Sequence, residues 1–501
     1  MFSGESFGLE VLGWMATVFI FAIGLLILFL MGVYIADITQ TKQAIRRNYP
    51  VIGHFRYYFE HIGTFFRQYF FSMDREEMPF NRAQRSWVYR AAKDIDNIVA
   101  FGSTRDLRPS GTILFVNTAF PTLGKDAVDC KPVVIGERSA QKPFIAHSFF
   151  NISGMSYGAI SKPAVQALSY GAKKSGAWMN TGEGGLSPYH LEGGADIVYQ
   201  IGTAKYGVRD AEGKLSDEKL RQVAAHENVR MFEIKMSQGA KPGKGGMLPA
   251  AKVNAQIAKI RGITEGSDSI SPNRHTEIEC NDDLIDMVNH IRDITGKPVG
   301  FKAVIGDESW LEDFLAAVNK RGKQSAPDFI AIDSADGDTG AAPMSLIDYV
   351  GMPINESLPR AIDKICEAGL RDRIKVIASG KLINPAEVAW ALCVGADFIA
   401  SARGFMFSLG CIQALQCHQN TCPTGITTHD KKLQRGLVAE QKSTRVANYI
   451  KNISYEVGVI AHSCGVRQPR ELSRRHARIV QHNGTSSLLA DIYPDRTPAT
   501  E

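Results

Sequence analysis

The chain has 501 residues, of which 44% are hydrophobic and 22% are charged. This balance excludes a disordered chain, and the length suits one large or two ordinary domains. The formal net charge is +5, and we expect no nucleic-acid partner. Eight unevenly spaced cysteines do not indicate a disulfide framework, and we interpret five of them as structural: Cys130, Cys280, Cys366, Cys393 and Cys464.

An apolar segment near the N-terminus predicts a membrane anchor over residues 1–36. Val11 to Ile35 holds 25 residues without Asp, Glu, Lys, Arg or His. A helix of that length, rising ~1.5 Å per residue, crosses the ~30 Å hydrocarbon core of a bilayer. A secretory signal peptide usually has a basic start and a shorter apolar core, whereas this segment follows Glu5 and Glu10. We therefore predict one retained transmembrane helix.

The next segment, residues 37–94, is basic and aromatic. From Ile38 to Arg90 there are nine basic and four acidic residues, so the positive-inside rule places the N-terminus outside and the rest of the chain in the cytoplasm. Residues 54–71 read HFRYYFEHIGTFFRQYFF, a pattern that suits an amphipathic helix in contact with membrane lipid. Packing of these aromatic residues against the folded domain is an equal alternative.

Residues 95–440 alternate short apolar runs with helical stretches such as Asp282–Ile294, Asp307–Asn319 and Pro385–Leu392. About eight strand–helix units fit a closed (β/α)8 TIM barrel of the α/β class. A doubly wound open sheet is the alternative, but no GxGxxG loop follows the first predicted strand. We expect residues 441–501 to form a helical C-terminal tail. The predicted strands are Phe144–Phe149, Ala177–Thr181, Asp196–Ile201, Met231–Lys235, Val299–Val304, Phe329–Ile332, Lys375–Ala378 and Phe398–Ala400.

Glycine-rich loops follow most of the predicted strands, at the barrel end where the chemistry of such folds takes place. The loop with Gly380 and the loop with Arg403 and Gly404 suit a phosphate, because backbone N–H groups near a helix start bind anions. Arg403 would add guanidinium donors, unless it forms a surface salt bridge. Lys302 lies inside an apolar strand. Its charge calls for an anionic or electron-rich partner such as a flavin, unless the side chain reaches solvent at the strand end.

Three cysteines, Cys411, Cys417 and Cys422, lie within twelve residues and are followed by a proline. Thiolates this close on a turn-rich segment predict an iron–sulfur cluster, either a three-iron cluster or a four-iron cluster with an open corner. Zinc binding with His418 as a fourth ligand is one alternative. Inert buried thiols are another.

Four motifs in chain order resemble the synthase domain of glutamate synthases: MSYGAIS (155–161), NTGEGG (180–185), QGAKPGKGG (238–246) and CxxxxxCHxNTCP (411–423). With its membrane helix and the leader NYPVIGHFRYYFE, the chain looks like a stand-alone FMN-binding glutamate synthase family protein. The resemblance implies a (β/α)8 barrel that holds FMN beside a 3Fe–4S cluster on the three cysteines. It places Ser156, Asn180, Lys302, Gly380 and Arg403 near FMN, and Glu183, Lys241 and Arg261 near 2-oxoglutarate or the imine derived from it.

The implied activity is that of an oxidoreductase acting on CH–NH2 donors, with electrons from a ferredoxin-like protein or a reductase subunit. Glutamate synthases open with a catalytic cysteine that releases ammonia from glutamine. The first cysteine here is Cys130, so we expect no glutaminase. Ammonia would come from solution or from a separate amidotransferase. The chain departs from the family pattern at Met247, at residues 271–277 and at residues 336–342. We therefore expect a small carboxylate-bearing imine or keto compound as substrate. The alternatives are a membrane-associated electron-transfer protein with another substrate and a non-catalytic barrel scaffold.

Overall fold

The computed structural model describes residues 3–237 and 239–496, and the chain divides into two compact units, Met1–Ala83 and Gln84–Glu501. The first unit is helical. Its long helix α1 (Ser3–Thr39) is apolar enough to cross a membrane, and none of its most apolar window is buried. The remaining elements of this unit are α2 (Ala44–Asn48), α3 (Gly53–Phe66) and a π-helical turn (Arg67–Phe71).

Asp37, near the end of α1, fastens this helix to the next two. Its buried carboxylate accepts hydrogen bonds from Arg46 Nε (3.0 Å), His54 Nε2 (2.9 Å) and the backbone N–H of Val51 (2.9 Å). The lipid contact of this segment stays a prediction. The large aromatic side chains that α3 and the π-helical turn expose are Phe55, Tyr58, Phe59, Phe65, Phe66, Tyr69, Phe70 and Phe71.

The second unit is built around a closed barrel of eight parallel strands. Each strand pairs with the next barrel strand along the chain, and the last pairs with the first. The (β/α)8 TIM barrel is therefore confirmed, and the open sheet is excluded. Before the barrel come α4 (Arg82–Ala92), β1 (Ile113–Phe115), β2 (Val133–Ile135) and β3 (Phe144–Ala146). The barrel strands are β4 (Phe150–Ile152), β5 (Met179–Asn180), β6 (Ile197–Ile201), β7 (Val229–Lys235), β10 (Val299–Val304), β11 (Phe329–Asp333), β12 (Lys375–Ser379) and β13 (Phe398–Ser401). Between β7 and β10, β8 (Met247–Leu248) and β9 (Ser269–Ile270) form a short antiparallel pair.

Helices follow these strands because their apolar residues recur at helical spacing. In α10 (Glu308–Arg321), the buried side chains are Leu311, Phe314, Leu315 and Val318, the i, i+3, i+4, i+7 pattern of one helix face. The other helices between β4 and residue 434 are α5 (Lys162–Ser175), α6 (Pro188–Leu191), α7 (Asp217–Ala224), α8 (Ala255–Arg261), α9 (Asn281–Thr295), α11 (Met344–Ile347), α12 (Ile354–Glu367), α13 (Pro385–Val394), α14 (Arg403–Leu409) and α15 (Lys431–Gln434).

The first predicted strand, Phe144–Phe149, is wrong. Residues 144–146 form β3, which pairs antiparallel with β2, and the first barrel strand is the next run, β4. Phe144 and Ala146 are buried while Ile145 is exposed, so β3 presents only one face to the core. That face packs with Trp178, Met231 and Phe398 at the amino-terminal end of the barrel strands. The hairpin therefore closes the end of the barrel opposite the predicted site.

The segment after residue 440, expected to be a helical tail, is helical only in part. Its long helix α16 (Ala439–Ser463) packs against α5, α13 and α14, so it belongs to the barrel wall. The chain then forms β14 (Ala477–Val480) and β15 (Ser486–Leu488), which make a small antiparallel sheet with β1, and ends its described part after α17 (Leu489–Ile492).

Candidate cofactor and substrate site

A cleft of ≈ 1020 Å³, counting its part open to solvent, lies at the carboxyl ends of the barrel strands. Its walls are the loops after β4, β5, β7, β11 and β13, together with the segment of residues 410–430, which we call the cysteine loop. This is the end of a TIM barrel at which active sites lie. The glycine-rich motifs of the sequence therefore meet in one place.

The charges that line this cleft are mostly positive. A concave site with an excess of one sign of charge concentrates ligands of the opposite sign, so this cleft suits carboxylates and phosphates. Its basic residues are Lys235, Lys241, Lys252, Arg261 and Arg403, against Glu183 and Asp338 as its acidic residues.

Arg261, at the end of α8, is held in the cleft wall by neutral partners. Its guanidinium donates hydrogen bonds to Ser269 Oγ (2.9 Å) and Ser156 Oγ (3.4 Å), and lies 5.1 Å from the ring centre of Tyr206. Burial lowers the pKa of this guanidinium, and among the described atoms its Nε has no hydrogen-bond partner. A buried guanidinium with donors to spare is suited to bind a carboxylate.

Glu183 and Lys241 line the same cleft. Lys235 Nζ lies 3.8 Å from Glu183 Oε2. Lys241 Nζ donates a hydrogen bond to the carbonyl of Ala341 (2.6 Å), which joins the loop after β7 to the loop after β11. Burial lowers the pKa of the Lys241 ammonium. The structure thus brings together all three residues predicted to bind substrate.

Asn180 and Lys302 line a smaller cavity of ≈ 290 Å³ inside the barrel. Asn180 Nδ2 donates a hydrogen bond to Glu233 Oε1 (2.9 Å), and Lys302 Nζ forms an ion pair with Asp333 Oδ2 (2.9 Å). Burial works to lower the pKa of the Lys302 ammonium, but Asp333 and Glu233 outweigh it and raise that pKa. The chain itself therefore supplies the anionic partner that the sequence called for.

The two predicted phosphate glycines have different structural reasons. Gly380 has φ +132°, and a Cβ there would contact the Oγ of Ser334, a buried hydroxyl without a hydrogen-bond partner among the described atoms. At Gly404 a Cβ would collide with the hydroxyl of Tyr449 in α16. Gly380 is thus next to an unsatisfied polar group, whereas the packing of α14 against α16 explains Gly404.

Arg403, at the start of α14, connects the cysteine loop to the loop after β11. Its Nη1 donates to Cys417 Sγ (3.6 Å) and its Nη2 to the carbonyl of Thr339 (2.7 Å), while its backbone N–H donates to Asp338 Oδ2 (3.1 Å). Burial opposes the charge of Arg403, but Asp338 and Cys417 outweigh it and raise the pKa of the guanidinium. With its side chain 19% exposed, Arg403 does not form the surface salt bridge that was its alternative.

Each of the three motif cysteines has a polar neighbour. Cys411 Sγ accepts a hydrogen bond from the backbone N–H of Gln413 (3.5 Å), and Cys422 Sγ lies 3.4 Å from Thr424 Oγ1; the donor to Cys417 is Arg403. Burial raises the pKa of the Cys411 thiol. Burial acts in the same direction on Cys422, but hydrogen bonds, with that of Thr424 first, lower its pKa.

Among the described residues, no group of three or more Cys, His, Asp or Glu side chains is placed to hold a single metal ion. A tetrahedral zinc ion and an iron–sulfur cluster both draw on such side chains, and both readings of the cysteine loop stay predictions.

Lys252 is the residue of this site that sequence reasoning missed most completely. It lies in a short 3-10 turn, Ala250–Lys252, and its Nζ donates to the carbonyls of Cys417 (2.6 Å) and Ala159 (3.3 Å). Burial lowers the pKa of this ammonium to about 8. No motif marks the position in the sequence. Lys235, by contrast, is the last residue of a predicted strand, and the argument made for Lys302 inside its strand would also have found it.

Comparisons with known proteins identify the family that this chain is similar to. A family model described as the conserved region in glutamate synthase matches residues 117–467. The glutamate synthase large subunit-like protein YerD of Bacillus subtilis is 39% identical over 491 residues, covering 90% of this chain and 93% of the relative. The archaeal glutamate synthase [NADPH] of Methanocaldococcus jannaschii is 36% identical over 332 residues, covering 66% of this chain but only 61% of the relative.

Among solved structures, a flavocytochrome b2 variant with benzoylformate has a TM-score of 0.46 and 13% identity, covering 83% of this chain and 85% of that one. That likeness is too weak to inform function. The family match is of a different order, because it spans most of the barrel and because the Bacillus relative is similar along nearly its whole length. The chain belongs to the glutamate synthase family.

Proposed function

We propose that this protein is an FMN- and iron–sulfur-dependent oxidoreductase acting on CH–NH2 donors, which reduces a small carboxylate-bearing imine to an amino acid without a glutaminase of its own. The imine derived from 2-oxoglutarate, with glutamate as product, is the first candidate. The observation that carries the proposal is that Glu183, Lys241 and Arg261 share one cleft with the cysteine loop.

The residues present fit FMN. Gly154 presents bare backbone in the cleft wall, beside the amides of Asn180 and Gln200, which suits the approach of a flat ring system. The backbone N–H of Arg403 donates a hydrogen bond to a carboxylate oxygen of Asp338, and Ser334 Oγ is an unused donor beside Gly380. Ser156, Asn180, Lys302, Gly380 and Arg403 would hold the cofactor. When bound, FMN supplies hydride transfer and one-electron exchange.

The cysteine loop fits a 3Fe–4S cluster. Cys411, Cys417 and Cys422 supply three soft ligands, and each Sγ has a polar neighbour of the kind that tunes cluster sulfurs. Such a cluster supplies one-electron transfer. The external electron donor in this proposal is a ferredoxin-like protein or a reductase subunit.

The chain's own residues have distinct roles in the proposed reaction. Arg261 and Lys241 would bind the carboxylates of the substrate, because both are buried cations that hydrogen-bond to neutral oxygens. Glu183, beside Lys235, would hold a proton at the imine nitrogen. Ammonia for the imine would arrive from solution or from a separate amidotransferase.

The test is to purify the full chain in detergent, measure FMN and iron, and screen anaerobic flavin bleaching with amino acids. We expect a yellow-brown protein with about three irons per chain whose flavin is reduced by glutamate. A colourless protein contradicts the cofactors. Normal cofactors with no bleaching by any amino acid contradict the substrate class and leave the electron-transfer alternative.

A further inference from the structure

A buried ammonium connects the cysteine loop to the rest of the cleft. Lys252 is 2% exposed, and its Nζ bridges the carbonyl of Cys417, in the cysteine loop, and the carbonyl of Ala159, in the loop after β4. The loop after β4 is the one that carries Gly154 and Ser156. One side chain therefore connects the cysteine loop, the predicted cluster site, to the wall of the predicted flavin site.

Other ties hold the same two loops together, but they are neutral. Ser161 donates its backbone N–H to the carbonyl of Ile426 (2.8 Å), and His429 Nε2 lies 2.9 Å from the carbonyl of Gly158. Asn420 Nδ2 donates to the carbonyl of Ala251, beside Lys252 (3.2 Å). Because these bonds already connect the cysteine loop to its neighbours, the hydrogen bonds of Lys252 are not needed for that purpose alone.

Burying an ammonium is costly unless a negative charge compensates for it. Among the described residues, no carboxylate forms an ion pair with Lys252, and the negative groups that act on it are the thiolate forms of Cys417 and Cys422. Arg403, which donates to Cys417 Sγ, differs because Asp338 lies 3.7 Å from its Nε. Lys252 thus brings the uncompensated positive charge to this site.

We propose that Lys252 is a positioning residue that fixes Cys417 against the loop after β4 and raises the reduction potential of the iron–sulfur cluster. The inference rests on the proposed function, since the cluster is part of it. When the cluster takes up one electron from the external donor, no bond forms or breaks, and its net charge becomes more negative by one. A fixed cation nearby stabilises this reduced state relative to the oxidised one.

The test is a redox titration of the full-length protein, followed by electron paramagnetic resonance. The neutral variants are Lys252→Met and Lys252→Gln, of which the second keeps a donor for the two carbonyls. Lys252→Arg retains the charge. Lys259→Met removes an exposed charge seven residues away and serves as the matched control.

We expect the neutral variants to lower the ratio of reduced to oxidised cluster at the wild-type midpoint about tenfold, which is about 59 mV for one electron. Lys252→Arg and Lys259→Met should titrate like the wild type. An unchanged midpoint in a neutral variant with normal iron content overturns the proposal. If both neutral variants lose iron, retention of iron by Lys252→Arg supports it, and loss of iron there as well overturns it.

The wild-type protein separates this result from the proposed function. A wild type without iron overturns the cluster, and the role of Lys252 with it, before any variant is compared. A wild type with iron and a resonance signal, but with a midpoint indifferent to the charge at residue 252, overturns only the role of Lys252.

Discussion

The buried cations of the cleft and of the smaller cavity inside the barrel fall into two groups according to what neutralises them. Lys302 and Arg403 have carboxylate partners within the chain, Asp333 and Asp338. The second group, which hydrogen-bonds to serine hydroxyls or backbone carbonyls, is Arg261, Lys241 and Lys252. Since a buried charge without an ionic partner is unfavourable, the second group is where an anionic ligand gains most.

Arg261→Met should weaken substrate binding with little effect on the flavin. Loss of a charged hydrogen-bonding partner costs about 2 kcal/mol, or ~30-fold, and we expect the change mainly in KM of anaerobic flavin reduction by the substrate. Arg209→Met is the matched control, because Arg209 also lies over the ring of Tyr206, at 4.9 Å, but does not line the cleft. Equal KM changes in both variants would contradict a binding role for Arg261.

At this scale the sequence predicts residues that stand in motifs or interrupt an apolar run. The family resemblance identified Glu183, Lys241 and Arg261, which line the cleft. Lys302 was noticeable because it lies inside a strand. Lys252 escapes both criteria, and Asp338 was noticed only as part of the departure from the family pattern at residues 336–342. Their importance comes from contacts between segments far apart in the chain, Lys252 with Cys417 and Asp338 with Arg403, and single-sequence patterns do not record such contacts.

At the scale of elements, one glycine position shows how helix packing and cofactor binding can be separated. Gly404 lets α14 approach α16, where the hydroxyl of Tyr449 donates a hydrogen bond to the carbonyl of Ile383 (2.6 Å). The position of Gly404 in a loop before a helix assigned it to the phosphate site, whereas the structure offers packing as a sufficient reason.

Gly404→Ala should destabilise the barrel by about 1–3 kcal/mol, because its Cβ would overlap the Tyr449 hydroxyl. Tyr449→Phe removes that hydroxyl, so the double variant Gly404→Ala/Tyr449→Phe should recover part of the stability. Urea denaturation measures the free energy of unfolding, and bound FMN is measured alongside. If the double variant regains stability but still binds no FMN, Gly404 has a direct role at the cofactor.

The capping box of α6, which follows the loop with Glu183, contains a buried histidine. His190 Nδ1 accepts hydrogen bonds from the backbone N–H and the Oγ of Ser187. Burial lowers the pKa of His190 from 6.5 to about 4. Above pH 6.5, protonation of His190 does not reduce the free energy of unfolding. As the pH falls from 6.5 toward 4, the free energy of unfolding decreases, because only the unfolded chain takes up the proton.

His190→Gln should flatten this part of the pH profile. Glutamine also completes a capping box but does not titrate, so the decrease in unfolding free energy between pH 7 and pH 5 should shrink by about 2 kcal/mol. Urea denaturation at the two pH values measures the difference. An unchanged pH dependence in a stably folded variant would show that His190 takes up its proton as readily in the native state as in the unfolded chain.

The elements themselves were predictable where the chain alternates clearly. Val299–Val304 has the predicted bounds, and the predicted Asp282–Ile294 helix lies within α9. The reading failed at residues 144–152, where two apolar runs follow each other without an intervening glycine or proline. Which run enters a barrel and which closes its end depends on pairing partners, β2 for the first and β13 for the second.

At the scale of the whole molecule, the most consequential feature is the apolar helix α1. It is long enough to cross a bilayer, and none of its most apolar window is buried. The basic segment that follows it favours retention of the following chain on the cytoplasmic side. On the cytoplasmic side, a reducing environment would keep cysteine thiols available for a cluster.

Labelling of cysteines in intact cells tests this topology. Cys280 is exposed, so a membrane-impermeant maleimide should modify it only after lysis, whereas a cysteine introduced by Ser3→Cys should react in intact cells. Cys280→Ser identifies which label is which, and extraction at alkaline pH should leave the protein in the membrane fraction. Labelling of Cys280 in intact cells would reverse the orientation. A protein that has lost the residue-3 label and is shorter than the full chain would instead have a cleaved signal segment, because only removal of α1 changes both at once.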